Sequence, residues 1–546
     1  MTSSKRIVSL LLLIAAVPRV ISLATFDFID SGGGSDSIAY LVLARNIFSG
    51  RGYSIFGVVH TIHHPFYPIL IGLVNHLFGD LVFSALLVSC VSGILLVVPV
   101  YLMAAGMFGR RTGFLAGLMT ALFPIFVYGS VESFSESLYT LLLISGLAAG
   151  WLAFKAGGFI RPLFSGIFLG LGFLTHPLGI AFLPLVAGFN LLVGRRRDWW
   201  RERIRTALLI VLAFSLTALP FWIFLRSTTG HWQLSGSSHY QDIGLRYVQA
   251  QGMEESQIIF NHMEMIFNPE RAGEFKTGHE PLPLSALVFR HPDRLIRVIH
   301  YNLMDGVLEA IKTARYLSLP PGLFIALLLG GMLLLLAYFI LNFIRGHRRL
   351  ALAYLILTFA PLGIFLIMIV EHRYFYPFIP LALIVFSRII DDILTAGAGN
   401  AARRRILAAG LILYYLALAA ASGFIVYRKA VKAEVPYEYK ILGTWMKENI
   451  PGIENEKVMA FRLGVNHYAG SGWNVFYWGD LAGLRDYLAE REINYLVVDE
   501  YKLYMLHPEL RFLLDADPLP RDFSLVRESV FDGRKIRLLR FDSDRR

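Results

Sequence analysis

Carboxylates, imidazoles and one guanidinium recur in this chain at the ends of apolar runs, and those are the residues from which chemistry could be built. Asp36 is followed one helical turn later by Tyr40. A His pair opens His63-His64-Pro65-Phe66-Tyr67, two glutamates flank Glu132-Ser133-Phe134-Ser135-Glu136, His176 lies between Thr175 and Pro177, and Arg373 follows Glu371-His372. A carboxylate in reach of a hydroxyl can take its proton, and a guanidinium or imidazolium can hold an anion through charge-assisted hydrogen bonds. Each residue also has a plain structural role open to it. Asp36 suits a helix N-cap, Glu136 a helix N-terminus, His176 a helix end, and Arg373 an interfacial anchor. Ionisable groups at membrane depth are nevertheless costly unless paired or functional. Their gathering on one face favours a working site over four separate structural ones.

The elements that must position them are membrane helices. The 546-residue chain is 55% hydrophobic and only 17% charged, with a mean hydropathy of +0.56, a composition of integral membrane proteins. Apolar runs of roughly 17 to 25 residues, long enough for a ~30 Å hydrocarbon core, fall at 7–24, 81–107, 113–129, 137–154, 161–176, 178–194, 206–226, 320–344, 350–370, 374–391 and 406–427. About 11 transmembrane helices are therefore expected. With a cytoplasmic N-terminus, the connections at Arg110-Arg111, Lys155 to Arg161, Arg195 to Arg205, Arg345 to Arg349 and Arg388 to Arg405 lie inside, and all are basic. The net charge of +11 thus reads as positive-inside topology, not as a nucleic-acid surface. Residues 1–24 resemble a signal peptide, but a retained first helix is expected. The single cysteine, Cys90, excludes an intramolecular disulfide.

The other side receives 25–80, the Glu132–Glu136 turn, His176, the long segment 227–319, Arg373 and everything after 428. Residues 65–79 and 291–311 have the pattern of helices lying in the interface. The texture changes after Arg428. Tyr437–Asn449 and Asp480–Arg491 read as helices, Lys457–Arg462 and Ile493–Val498 as buried strands, and Phe523–Ser529 with Lys535–Phe541 as a hairpin around Asp532-Gly533. The expected organisation is a membrane domain over 1–428 and a small extracytoplasmic α/β domain over 429–546. The tail has no Gly-rich phosphate loop leading into a helix, so no nucleotide site is indicated.

The ordered polar segments resemble those of the GT-C superfamily of polyprenyl-phosphate-sugar-dependent glycosyltransferases, in particular the protein O-mannosyltransferase and aminoarabinose-transferase-like group. Asp36-Ser37-Ile38-Ala39-Tyr40 with Ala44 and Gly50 is similar to that group's first-loop pattern. His64-Pro65-Phe66-Tyr67-Pro68, Glu136-Ser137-Leu138, Leu174-Thr175-His176-Pro177 and Arg373-Tyr374 with Pro377 and Pro380 follow in the group's order. The chain departs from the pattern at Ser37, where a second acid is frequent, and at His64 and His176, where Lys or Arg is common.

The resemblance implies transfer of a sugar from a polyprenyl-phosphate donor to an extracytoplasmic acceptor, an envelope lipid, a glycan or a protein hydroxyl, with inversion at the anomeric carbon. Asp36 would be the general base. Tyr40, His64, Tyr67, Glu136, His176 and Arg373 would contact donor or acceptor. No cofactor is required, and a divalent metal stays open, with His63, Glu132 and Glu136 as ligands. Membrane lipids are expected partners, nucleic acid is not, and the expected location is a bacterial inner membrane. The competing reading is a lipid or sugar transporter, which would carry its ionisable groups near the midplane of broken helices. Here they stand at span ends.

Overall fold

A computed structural model gives the structure of the chain and describes residues 2–25, 35–193, 200–236, 288–316, 330–331, 333, 336–342, 349–367, 372–396, 401–431, 437–500, 508–531 and 533–543. In chain order the helices are α1 (Thr2–Thr25), α2 (Ser35–Phe48), α3 (Phe66–Phe78), α4 (Leu81–Leu95), α5 (Val97–Phe108), α6 (Arg110–Leu122), α7 (Pro124–Gly129), α8 (Glu136–Ala156), α9 (Ile160–Phe173), α10 (Phe182–Leu192) and α11 (Trp200–Thr229). They continue with α12 (Pro292–Tyr316), α13 (Arg349–Phe359), α14 (Ile379–Ala396), α15 (Ala401–Val431), α16 (Tyr437–Asn449), α17 (Leu463–Ala469) and α18 (Leu481–Glu490). The strands are β1 (Ser54–Ile55), β2 (Val58–Val59), β3 (Lys457–Ala460), β4 (Gly472–Asn474), β5 (Ile493–Asp499), β6 (Phe523–Phe531) and β7 (Arg534–Phe541).

The chain divides into two compact units. One comprises Met1–Asp27, Thr61–Ser237 and Asn302–Ala433; the other comprises Phe28–His60, Ser238–Tyr301 and Glu434–Arg546. The second unit thus combines the tail with Phe28–His60 and Ser238–Tyr301. Helix α2 packs on α17 in the second unit, and its run from Ser37 to Ala44 is buried on every side. A helix apolar all round needs cover on all faces, which explains why it joins the tail.

In the first unit, among the described residues, six helices are long and apolar enough to cross a membrane: Ser4–Ala24, Leu81–Phe108, Glu136–Ala156, Trp200–Thr229, Arg349–Leu366 and Arg405–Phe424. The expected spans at 113–129, 161–176, 178–194 and 374–391 hold shorter or broken helices, and most of 320–344 lies outside the described residues. The breaks have local causes. Phe123 is extended, with φ −72° and ψ 123°, because Pro124 disfavours helical geometry in the residue before it. Helices α8, α9 and α11 pack against one another through small residues, as helices in lipid must when apolar area alone gives no preference for helix over lipid. A Cβ at Gly166 would overlap the Ile210 carbonyl, so α9 and α11 approach at backbone distance only with glycine there.

In the second unit a five-stranded mixed sheet runs in the order β4-β3-β5-β7-β6. β3 is parallel to β4 and β5, while β7 pairs antiparallel with β5 and β6. Leu496, Val497 and Val498 on β5 and Leu538 and Leu539 on β7 are buried. The expected hairpin is present, and its turn residue Asp532 lies outside the described residues. Asp480 caps α18 by accepting from Gly483 N at 2.8 Å, which satisfies a donor that a helix start leaves open.

Candidate active site

The acidic turn Glu132–Glu136 ends where α8 begins, which sets Glu136 in the first turn of that helix. Backbone N–H groups at a helix N-terminus favour a carboxylate there. Its Oε1 lies 3.5 Å from Arg373 Nε, with 9% and 17% of the two side chains exposed. Arg373 comes from the 3-10 turn His372–Phe378. Its guanidinium lies over the Phe134 ring, 4.9 Å from the centroid, and 5.8 Å from that of Tyr374. The carboxylate thus meets the guanidinium at its edge while rings meet its face, and together these fix its plane.

His176 joins the same cluster. It caps the 3-10 turn Pro177–Ala181, its Nδ1 accepting from Leu178 N at 3.3 Å, which puts the proton of the neutral ring on Nε2. The ring stacks on Tyr139, one turn beyond Glu136, with centroids 4.9 Å apart, and meets Tyr374 edge-on at 5.6 Å. Three residues expected to converge, Glu136, His176 and Arg373, are thus joined through Tyr139 and Tyr374. Phe134, Tyr139 and Tyr374 were not among the expected site residues. An aromatic at i+3 from Glu136 and another beside Arg373 were the available signals.

Two other expected contact residues are engaged by protein. His64 is 1% exposed, and its Nδ1 donates to the Phe173 carbonyl. Its Nε2 meets Ser235 Oγ at 2.9 Å, and its ring packs between Phe173 and Phe221. With Phe66 N donating to Leu174 O at 2.8 Å, this strap satisfies carbonyls at the C-terminus of α9. Those are the residues just before His176. Tyr67 is fully buried and its hydroxyl meets Ala85 O at 3.2 Å and Ser89 Oγ at 3.0 Å. Ser89 in turn donates to Phe134 O at 3.2 Å, on the acidic turn. In this geometry His64 and Tyr67 shape the site from behind.

Asp36 belongs to the second unit. It stands in the first turn of α2, half-buried, and Tyr40 one turn on is 7% exposed. His63 and Glu132 are both half-buried. Among the described residues, no group of three or more His, Cys, Asp or Glu side chains is gathered closely enough to hold a metal ion.

Comparison with known proteins gives these features a class. Residues 62–224 match the family of dolichyl-phosphate-mannose-protein mannosyltransferases. The fold is similar to that of the oligosaccharyltransferase from the archaeon Archaeoglobus fulgidus. In its complex with zinc and sulfate the TM-score is 0.61 at 15% identity, covering 91% of this chain and 69% of that one. In its complex with an inhibitory peptide and a dolichol-phosphate the score is 0.59 at 16% identity, covering 90% and 69%. ArnT from Cupriavidus metallidurans bound to undecaprenyl phosphate aligns over 97% of both chains, at 14% identity and a TM-score of 0.48. No curated protein is a significant match to the sequence. Over 62–224 the chain is thus similar to that family, its fold is similar to that of the archaeal oligosaccharyltransferase, and among the described residues six helices are long and apolar enough to cross a membrane. The matched segment carries Glu136 and His176.

Proposed function

We propose that this protein transfers a sugar from a polyprenyl-phosphate donor to a hydroxyl on an extracytoplasmic acceptor, and that it does so in the inner membrane of a bacterium. The observation that carries the proposal is the Glu136–Arg373 pair beside His176, at the mouth of a membrane helix in the family-matched region. A sugar phosphodiester needs its leaving phosphate stabilised as the bond to the anomeric carbon breaks. Arg373, its plane set by Glu136 and the rings of Phe134 and Tyr374, supplies a preorganised cation for that charge. His176 adds a donor at Nε2 and, when protonated, a second charge.

Asp36 takes the proton of the acceptor hydroxyl. The freed oxygen attacks the anomeric carbon from the side opposite the phosphate, the phosphate leaves with the bonding electrons, and the configuration inverts. The sugar is already activated by its phosphate, so the step requires no nucleotide and no obligatory metal. Mass spectrometry of envelope lipids and glycoproteins from a deletion strain identifies the missing product, and complementation then tests the residues. Asp36→Asn and Arg373→Ala are each expected to insert normally yet fail to restore it. Restoration by Asp36→Asn would remove Asp36 as the base.

A further inference from the structure

Arg19 lies inside the apolar run of α1 and is fully buried. A guanidinium in that setting is held by the bonds its donors make, here from Nε and Nη1, while Nη2 has no partner among the described residues. Its Nη1 donates to Ala121 O at 2.8 Å and to Ala15 O at 2.9 Å, and its Nε donates to Ser130 Oγ at 3.1 Å. Ala121 stands in the last turn of α6, where carbonyls lose their helical donors. Ser130 is the C-cap of α7. Between the two the chain turns at Phe123-Pro124, so one side chain bridges the break from both sides.

The neighbouring exposed carbonyls are met in the same way. Leu122 O accepts from Ser422 Oγ at 2.7 Å, Ile125 O from Tyr376 Oη at 3.0 Å, and Gly129 O from Ser137 Oγ at 2.9 Å. Helix α4 comes close at Gly93, where a Cβ would overlap Ser130 Oγ. The acidic turn begins two residues after Ser130, and Val131 just before it and Ser133 and Ser135 within it are each 1% exposed.

We propose that Arg19 is a positioning residue: by tying the end of α6 to the end of α7 it fixes where the Glu132–Glu136 turn emerges, and so where Glu136 meets Arg373. Its catalytic consequence rests on the function proposed above; the clamp itself does not. The test uses the full chain in lipid nanodiscs carrying Ser133→Cys, with the unsubstituted chain, whose Cys90 is buried, as the baseline. A maleimide reaches a buried thiol only when the turn opens, so losing a hydrogen bond of the clamp in Arg19→Met is expected to raise its labelling rate about tenfold. Arg19→Lys, which can reach a carbonyl but cannot span the break, is expected to fall between the two.

If Arg19→Met fails to insert, Ser130→Ala removes the Arg19 bond on the α7 side, with the bond that the Ser130 hydroxyl donates to Phe126 O within its own helix, and carries the test alone. In the transfer assay Arg19→Met should lower kcat by about 30-fold, with the donor KM changed by less than about threefold, as expected when a group is displaced without loss of binding. Arg19→Lys should restore part of that loss. Unchanged labelling in both Arg19→Met and Ser130→Ala overturns the clamp, whatever the activity. Faster labelling in Arg19→Met, with an unsubstituted chain that itself transfers no sugar, upholds the clamp and sinks the transfer reading instead.

Discussion

Two Arg–carboxylate clusters in the first unit use the same residue types to opposite ends. On α14, Asp391 accepts from Thr112 Oγ1 at 2.7 Å and pairs with Arg111 Nε at 3.2 Å and Arg388 Nη1 at 3.4 Å. Asp392 beside it pairs with Arg388 and accepts from Tyr338 Oη at 2.9 Å. Acids and bases are interleaved there, and each carboxylate is met from more than one helix. At the mouth of α8 the Glu136–Arg373 distance is 3.5 Å and aromatic faces accompany it. A saturated cluster locks helices together. A cation held by rings and by one carboxylate edge keeps its orientation and can still meet an incoming anion.

Exchanging the roles is the strongest way to break that comparison. Arg373→Ala should lower sugar transfer by about 10²- to 10³-fold, the scale of losing a preorganised charge donor, while the melting temperature in detergent stays within a few degrees. Arg373→Lys should recover only a small part, because an ammonium cannot present the planar fork. If Arg373→Ala instead unfolds the protein and spares transfer in the folded fraction, the pair is a lock like the other.

The converse substitution has the next largest effect. Asp391→Ala leaves Arg388 partly buried with one carboxylate fewer and removes the acceptor of Thr112, so it should cost about 2 to 3 kcal/mol, below the range for fully buried pairs because Arg111 is mostly exposed. Thermal melting should show this as a clear drop, and kcat of the folded enzyme should stay within about threefold, as the cluster bears no reacting group. A large kcat loss with an unchanged melting curve would erase the distinction between the two clusters.

The Glu136, His176 and Arg373 cluster was more legible in the sequence than the Asp391 cluster. Glu136, His176 and Arg373 interrupt apolar runs at their ends, and a costly residue in an apolar run is visible without coordinates. Asp391 and Arg111 hid among the basic connections, where charge was already explained by topology. Arg19 was equally plain in the sequence, yet its meaning depends on Ala121 and Ser130, more than a hundred residues away. His64 and Tyr67 were read as contact residues because their types suit one. Their burial depends on Phe173, Phe221 and Ser89, which no spacing rule connects to them. In the tail, long alternating or apolar segments such as β5 to β7 were readable. The strand Gly472-Trp473-Asn474 was not, because two of its three residues have low strand propensity and only pairing with β3 holds it.

The second unit offers the smallest and most selective test, because there a titratable group sits among cations. His467 on α17 has a buried Nδ1 with no hydrogen-bond partner among the described residues. Burial, then Arg45 and Lys440, depress its pKa to about 3. In the unfolded chain the same ring titrates near ~6.5. Above that value both states are neutral at this position and the full stability is present. Below it the unfolded chain gains a proton that the fold refuses, so stability declines as pH falls from 6.5 towards 3, by up to about 1.4 kcal/mol per pH unit. Melting curves of the full chain between pH 7.5 and 4 should show that slope. His467→Gln, which cannot be protonated, should flatten it. Any slope left over in that variant belongs to the other titratable groups of the chain. A slope identical to that of the unsubstituted chain would mean that His467 takes up its proton alike in the folded and the unfolded chain, so that its burial among cations does not depress its pKa.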